Sequence, residues 1–131
     1  MPPIRKVGWA HVRDRRLLCA RTGSRGLFYI PGGKPEQGED DAAALVREIA
    51  EELAVRIDPA TIAPCGTFTA PADGQPGRDV IVSLYTADWD GEPVASAEIE
   101  ELRYLSSGDA DLVSGAAKLI LQELKAANVI D

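Results

Sequence analysis

Histidine and cysteine are almost absent from this chain, which holds one His and two Cys in 131 residues. Without a second His, no multi-histidine zinc site can be assembled around His11. His11 and the nearby Trp9 read as packing residues. Cys19 and Cys65 stand at no metal-type spacing and form no paired framework, so both read as small, reduced, partly buried side chains. Long apolar runs are missing too: none, residues 80–82 included, comes near the roughly 18 residues a membrane span needs. Residues 1–6 lead into no signal-type apolar block. A cytoplasmic protein without a membrane partner is the expectation. The length is that of one domain, residues 1–131, with a single core burying about two-thirds of the unfolded surface. No internal repeat, low-complexity tract or linker interrupts it.

What the chain does have is acid, in an uneven distribution. Its formal net charge is −7, yet residues 1–34 hold eight Lys or Arg against the single Asp14. The remainder holds six basic and twenty acidic residues. A basic segment beside an acidic one suits a polyphosphate bound through metal ions, and equally suits an exposed basic hairpin balancing an acidic body. An acidic chain of this kind is a poor general binder of nucleic acid backbone, so no nucleic acid partner is expected.

Residues 6–12 (KVGWAHV) and 16–21 (RLLCAR) read as two strands joined by a tight turn at Arg13, Asp14 and Arg15. A polar loop over 22–26 leads to the short apolar run 27–30, which Pro31, Gly32 and Gly33 must stop. There, Phe28 and Tyr29 either fill the core or offer one ring to a base. Residues 62–70 and 79–89 read as further strands, joined by a loop over 71–77 that can cover a substrate. Asp90-Gly91 is a hairpin turn signal. Ala117, Ile120, Leu121 and Leu124 put an apolar stripe on a last helix, about 114–127, as a packing face.

Between these lies the stretch 33–55, GKPEQGEDDAAALVREIAEELAV. Its helix starts near Asp40, where Glu39, Asp40 and Asp41 place negative charge at the positive end of the helix dipole. Leu45, Ile49 and Leu53 form its buried seam, and Asp58-Pro59 ends any continuation. Spacings of three and four residues gather Glu48, Glu51 and Glu52 within about 100° on the helix surface, close enough to share one hard cation. A solvated acidic face would show the same stripe. The full pattern, however, resembles the signature of the Nudix hydrolases, G-x5-E-x7-R-E-U-x-E-E-x-G-U with U aliphatic. Gly33, Glu39, Arg47, Glu48, Ile49, Glu51, Glu52 and Val55 fall in place, and Ala54 stands where the pattern has Gly. Either Ala54 takes a left-handed conformation at about 1 kcal/mol, or the helix ends differently.

The resemblance implies an α/β fold, the Nudix α/β/α sandwich with a mixed β-sheet between helices. It implies Mg²⁺ (or Mn²⁺) held by Glu48, Glu51, Glu52 and the carbonyl of Gly32, and hydrolysis of a nucleoside diphosphate linked to another group. The expected substrate is a small-molecule nucleotide, a (deoxy)nucleoside triphosphate giving NMP and pyrophosphate. ADP-ribose or another nucleoside diphosphate sugar is the alternative, since Pro71 lies near the proline associated with ADP-ribose hydrolases; a non-catalytic nucleotide- or protein-binding domain is a further one. Arg47 is expected to orient a box glutamate through a charged hydrogen bond. Arg21 and Lys34 are the phosphate-contact candidates and Phe28 a candidate for the base. The segment 98–104 resembles the late acidic stretch of many Nudix proteins, making Glu100 and Glu101 candidates for a further ligand or base. A monomer or homodimer is expected.

Overall fold

The computed structural model describes residues 1–23 and 26–131. Of the polar loop expected over 22–26, Ser24 and Arg25 lie outside the described residues. The chain forms strand β1 (Ile4–Trp9), β2 (Val12–Arg13), β3 (Arg16–Thr22) and β4 (Gly32–Gly33), helix α1 (Asp41–Leu53), strands β5 (Arg56–Ile57), β6 (Ala63–Pro71), β7 (Asp79–Thr86), β8 (Trp89–Asp90) and β9 (Ile99–Leu105), and helix α2 (Gly115–Ala126). The main sheet has the order β4-β1-β7-β6, with β1 parallel to β7 and the other pairs antiparallel. A second sheet has the order β2-β3-β9, and β5 pairs with β8. The sheet is therefore mixed and lies between two helices, an α/β/α sandwich.

Two apolar clusters show how the layers hold. Leu45, Ile49 and Leu53 of α1 are fully buried against Val7, Trp9 and Leu18. Each such side chain contributes roughly 1.5–3 kcal/mol by leaving water. Ala117, Ile120, Leu121 and Leu124 of α2 pack with Val82, Leu84, Leu17 and Leu105 on the opposite side. Alternation along β1 follows: Val7 and Trp9 point toward α1, whereas a side chain at Gly8 would meet Ile30 and Val82 on the α2 side. Lys6, two residues from Gly8, shares that second face.

Two expected strands divide. The segment 6–12 ends its first strand at Trp9 and resumes as β2 in the second sheet, with His11 between them. His11 is buried and stacks on Trp9 with ring centroids 4.7 Å apart. The segment 79–89 likewise breaks after Thr86, and Trp89–Asp90 pairs with β5, so Asp90-Gly91 makes no hairpin to the next strand. The turn at Asp14 and Arg15 forms as expected, with both residues at positive φ, 52° and 61°, as a two-residue hairpin of the mirror-image type requires. Burial pushes the Cys19 thiol up to about 12, which keeps it protonated. Among the described residues no helix is long and apolar enough to cross a membrane.

Helix α1 begins where Asp40 accepts a hydrogen bond from the Ala43 N–H at 2.8 Å. It ends on Ala54, which adopts φ 57°, ψ 33° and so takes the left-handed cap without being glycine. Two carbonyls of the last turn find partners in the segment before β9: Val94 N–H donates to Leu53 O at 3.0 Å and Ser96 N–H to Glu52 O at 2.9 Å. Because the backbone is already left-handed, Ala54→Gly removes a steric cost and is expected to raise unfolding free energy by about 0.5–1 kcal/mol. Chemical denaturation checks this; a destabilised variant would show that the Ala54 methyl contributes packing that outweighs the strain.

Candidate functional site

The site grows from the contact between β4 and the helix that follows it. Gly32 has φ 148°, and a Cβ there would collide with the Val7 carbonyl oxygen, so only glycine fits against β1. A Cβ on Gly33 would lie 2.5 Å from the Glu48 carboxyl carbon. The Glu48 carboxylate thus rests directly on the Gly33 backbone. Gly32 N–H donates to Glu52 Oε1 at 3.1 Å. Two carboxylates one helical turn apart are thereby seated on two consecutive residues of one short strand.

Arg47 organises the other side of the cluster. Its Nε and Nη2 donate to the two oxygens of Glu39 at 2.7 and 2.9 Å, a bidentate pair. Its Nη1 donates to Glu48 Oε1 at 2.9 Å, which is the orienting bond anticipated from the sequence. Nη2 also reaches the Lys34 carbonyl at 3.2 Å. Glu39 in turn accepts from the Glu36 N–H at 2.7 Å. Arg47, followed by that N–H, holds the Glu39 carboxyl down to about 2. Glu39 therefore anchors the arginine that orients Glu48, a role its place in the motif did not disclose. Glu51 lies further out, 3.6 Å from Arg47 and more than half exposed.

Glu52 behaves differently. Burial pushes its carboxyl up to about 7, the charges of Glu48 and Glu98 add to the rise, and the Gly32 N–H and Lys6 oppose it. Glu98 is thus the late acidic residue near the cluster, in place of the two selected from the sequence. Register explains why. Arg21 on β3 stands opposite Glu101 on β9, and Thr22 opposite Ile99, with a bulge between. Ala20 and Thr22 line the cleft described below, so Arg21 between them points to the other face with its partner Glu101, and the bulge shifts the phase that returns Ile99 to the cleft. There Arg21 pairs with Glu101 at 3.0 Å and with Glu100 at 3.6 Å, and Arg103 joins Glu101 at 2.6 Å. Arg103 and then Arg21 hold Glu101 below the usual carboxylate range. Phe28 is only 3% exposed and lies beneath both guanidiniums, 5.9 and 5.1 Å from its ring centroid. Arg21, Phe28, Glu100 and Glu101 therefore form a separate ionic and aromatic cluster and leave the candidate site. Lys34 is exposed and is not among the residues that line the cleft.

From Gly32 and Glu52 a cleft of about 260 Å³ runs between the two sheets. Lys6 and Tyr29 flank it, Asp73 and Gln75 of the loop after β6 overhang it, and Ser114 at the start of α2 closes it. The loop expected to cover a substrate does border the cavity. Tyr29, adjacent to Phe28 on the opposite side of the chain, is the aromatic residue that faces it.

The donors suit a hard divalent cation: carboxylate oxygens beside a strand backbone, with Glu52 held short of positive charge. Among the described residues no three such side chains already converge on one point. Arg47 draws Glu48 and Glu51 toward itself, at 2.9 and 3.6 Å, so a cation must compete with it.

Two expectations follow. In Gly33→Ala the new methyl meets the flexible end of Glu48 rather than backbone, so the fold should tolerate it while the Glu48 carboxylate is displaced. Mg²⁺ affinity, read by calorimetry, should fall about tenfold or more, with unfolding free energy changed by less than about 1 kcal/mol; unaltered affinity would remove Glu48 from the cation site. For Glu52, the folded metal-free carboxyl titrates near 7 against 4.5 for the free side chain. Its stabilisation is complete below the lower value and is lost as pH rises through the higher one. Metal-free protein should lose on the order of 1–3 kcal/mol between pH 5 and 8 through this group, and Glu52→Gln should lose that slope. The rise in Tm on adding Mg²⁺ should grow over the same range in wild type, because the cation must displace a proton. Identical slopes in the two proteins would refute the assignment.

The comparisons with known proteins agree with this geometry. A family model described as the NUDIX domain matches residues 3–123. A MutT-like protein of Streptomyces ambofaciens is 35% identical over 60 residues, 44% of this chain. That match spans 39% of the relative's length. The E. coli ORF135 protein superposes with a TM-score of 0.75 at 27% identity, covering 100% of this chain and 96% of that one. The MutT NUDIX hydrolase of Burkholderia pseudomallei superposes with a TM-score of 0.74 at 25% identity, covering 95% and 98%. A family model that runs over nearly the whole chain establishes that this chain belongs to the NUDIX family.

Proposed function

We propose that the protein is a Mg²⁺-dependent hydrolase that cleaves a pyrophosphate bond in a nucleoside diphosphate linked to another group, with a (deoxy)nucleoside triphosphate as substrate and NMP plus pyrophosphate as products. The observation that carries this reading is the seating of Glu48 and Glu52 on the Gly32–Gly33 strand at the mouth of the cleft. Glu48, Glu51, Glu52 and the Gly32 carbonyl are the residues that would hold Mg²⁺, or Mn²⁺ in its place. When bound, the cation supplies positive charge against the pyrophosphate and lowers the pKa of a coordinated water.

The chain's own residues do the rest. Arg47 keeps Glu48 aimed at the strand, while Glu39 fixes Arg47. Glu98, whose charge is felt at Glu52 and which is not among the residues that would hold the cation, is the carboxylate that can take a proton from the attacking water. The cleft excludes bulk water from the nucleoside end. Its volume suits one nucleoside unit, with the remainder of the substrate projecting past Glu52. Pro71, the residue that pointed toward ADP-ribose, sits in β6 opposite Asp79 and is not among the residues that line the cleft, which supports the nucleoside triphosphate over the nucleoside diphosphate sugar.

Incubation with a panel of nucleoside triphosphates, dinucleotides and nucleoside diphosphate sugars tests this. A nucleoside monophosphate should be released from at least one of them in millimolar Mg²⁺ or Mn²⁺ and from none in excess chelator. Equal turnover in chelator would sink the metal mechanism, and no turnover across the panel would favour a binding domain.

A further inference from the structure

Lys6 is the only cation among the described residues that line the cleft. Three other cations of the basic N-terminal segment are engaged elsewhere: Arg13 pairs with Glu92 at 2.6 Å, Arg15 with Asp131 at 2.6 Å, and Arg21 with Glu101 at 3.0 Å. Among the described residues, the positive charge before residue 35 therefore reaches the cleft through Lys6. Its position follows from strand geometry: Val7 and Trp9 bury under α1, and Lys6 opposite Val82 turns to the other face. The ammonium lies 5.7 Å from the centroid of the Tyr29 ring, within the range in which a cation and a ring face attract. Glu52 lines the same cleft. Lys6 thus stands between the aromatic wall of the cleft and its carboxylate end.

On the reading given under Proposed function, we propose that the Lys6 ammonium binds a non-bridging oxygen of the substrate phosphate attached to the nucleoside, with Tyr29 as the wall against which the nucleoside lies. A nucleotide in the cleft brings several negative charges next to the acidic side chains of Glu52 and Asp73. Cations held by the glutamates offset the charge on one side only. A compact ammonium on a flexible stem is a mobile point charge, and it can reach a phosphate oxygen without the fixed fork that arginine imposes. The bond is charge-assisted at both ends, which places it among the stronger hydrogen bonds a cleft can offer.

The α,β-methylene analogues of ATP, GTP, CTP and UTP, titrated with Mg²⁺ by calorimetry into wild type, Lys6→Met and Lys6→Arg, test the assignment without turnover. The nucleosides of the same bases, which carry no phosphate, serve as the second probe. For whichever analogue wild type binds, Lys6→Met should weaken affinity by about 10- to 100-fold, the equivalent of a charge-assisted bond of roughly 1.5–3 kcal/mol. Lys6→Arg should stay within about threefold. Affinity for the nucleoside should be unchanged in both variants. Lys6→Gln takes the place of the methionine variant if its thermal melt or its Mg²⁺ response departs from wild type. Analogue affinity within twofold of wild type in the uncharged variant would overturn the proposal. Equal weakening of nucleoside and analogue would also overturn it, assigning Lys6 to the base instead. Wild type that binds none of the analogues while retaining its Mg²⁺ response would count against the nucleoside triphosphate reading itself, a failure distinct from that of Lys6.

Discussion

Everything in the site depends on how closely the backbone of Gly32 and Gly33 approaches helix α1. The strand is two residues long, yet it fixes three things together. Gly32 packs against Val7 of β1 where no side chain fits, Gly33 receives the Glu48 carboxylate, and the Gly32 N–H holds Glu52. A side chain at either position would separate the helix from the sheet or turn a carboxylate away. The glycines are thus required by contact distance as much as by dihedral freedom. The apolar seam of Leu45, Ile49 and Leu53 supplies the force that presses the helix into this contact, and the glycines set how near it comes.

The second constraint is electrostatic. Folding brings Glu48, Glu52 and Glu98 together, and the described cations near them do not balance the set: Arg47 is shared among Glu36, Glu39, Glu48 and Glu51, and Lys6 opposes the shift at Glu52 only in part. An unbalanced, partly buried carboxylate is costly to a fold, and a pKa displaced toward neutrality is the visible sign of that cost. Hydrolases of this family generally use divalent ions such as Mg²⁺. A divalent ion bound beside Glu52 would relieve this tension.

Helix α1 was legible in the sequence because its information is local. Spacings of three and four residues, a cap at Asp40 and the seam of Leu45, Ile49 and Leu53 are properties of one segment and need no knowledge of its neighbours. Ala54 was legible as a departure, and the left-handed backbone it adopts is one of the two outcomes its position allowed. The misplaced residues were all decided by pairing. Whether Arg21 or Thr22 faces the cleft depends on the register of β3 on β9 and on the bulge between them, which no local pattern records. The same parity separates Phe28 from Tyr29. Which glutamate of the segment 98–104 comes near Glu52 is decided by the same pairing, and Lys6 went unselected because which face of β1 is apolar becomes clear only once α1 is known to lie on it.

The hydrogen bonds from Val94 and Ser96 to the last carbonyls of α1 tie two segments of the chain into one unit of local stability. The strap that closes the helix is also the approach to Glu98, two residues past Ser96. Fraying of this strap would uncap the last turn of the helix, which carries Glu52, and withdraw Glu98 in the same event. These two carboxylates are thus coupled through one segment, while Glu48 is held separately by Gly33 and Arg47. A substitution in the exposed strap, with no chemistry of its own, reaches the cluster through the population of that opened state.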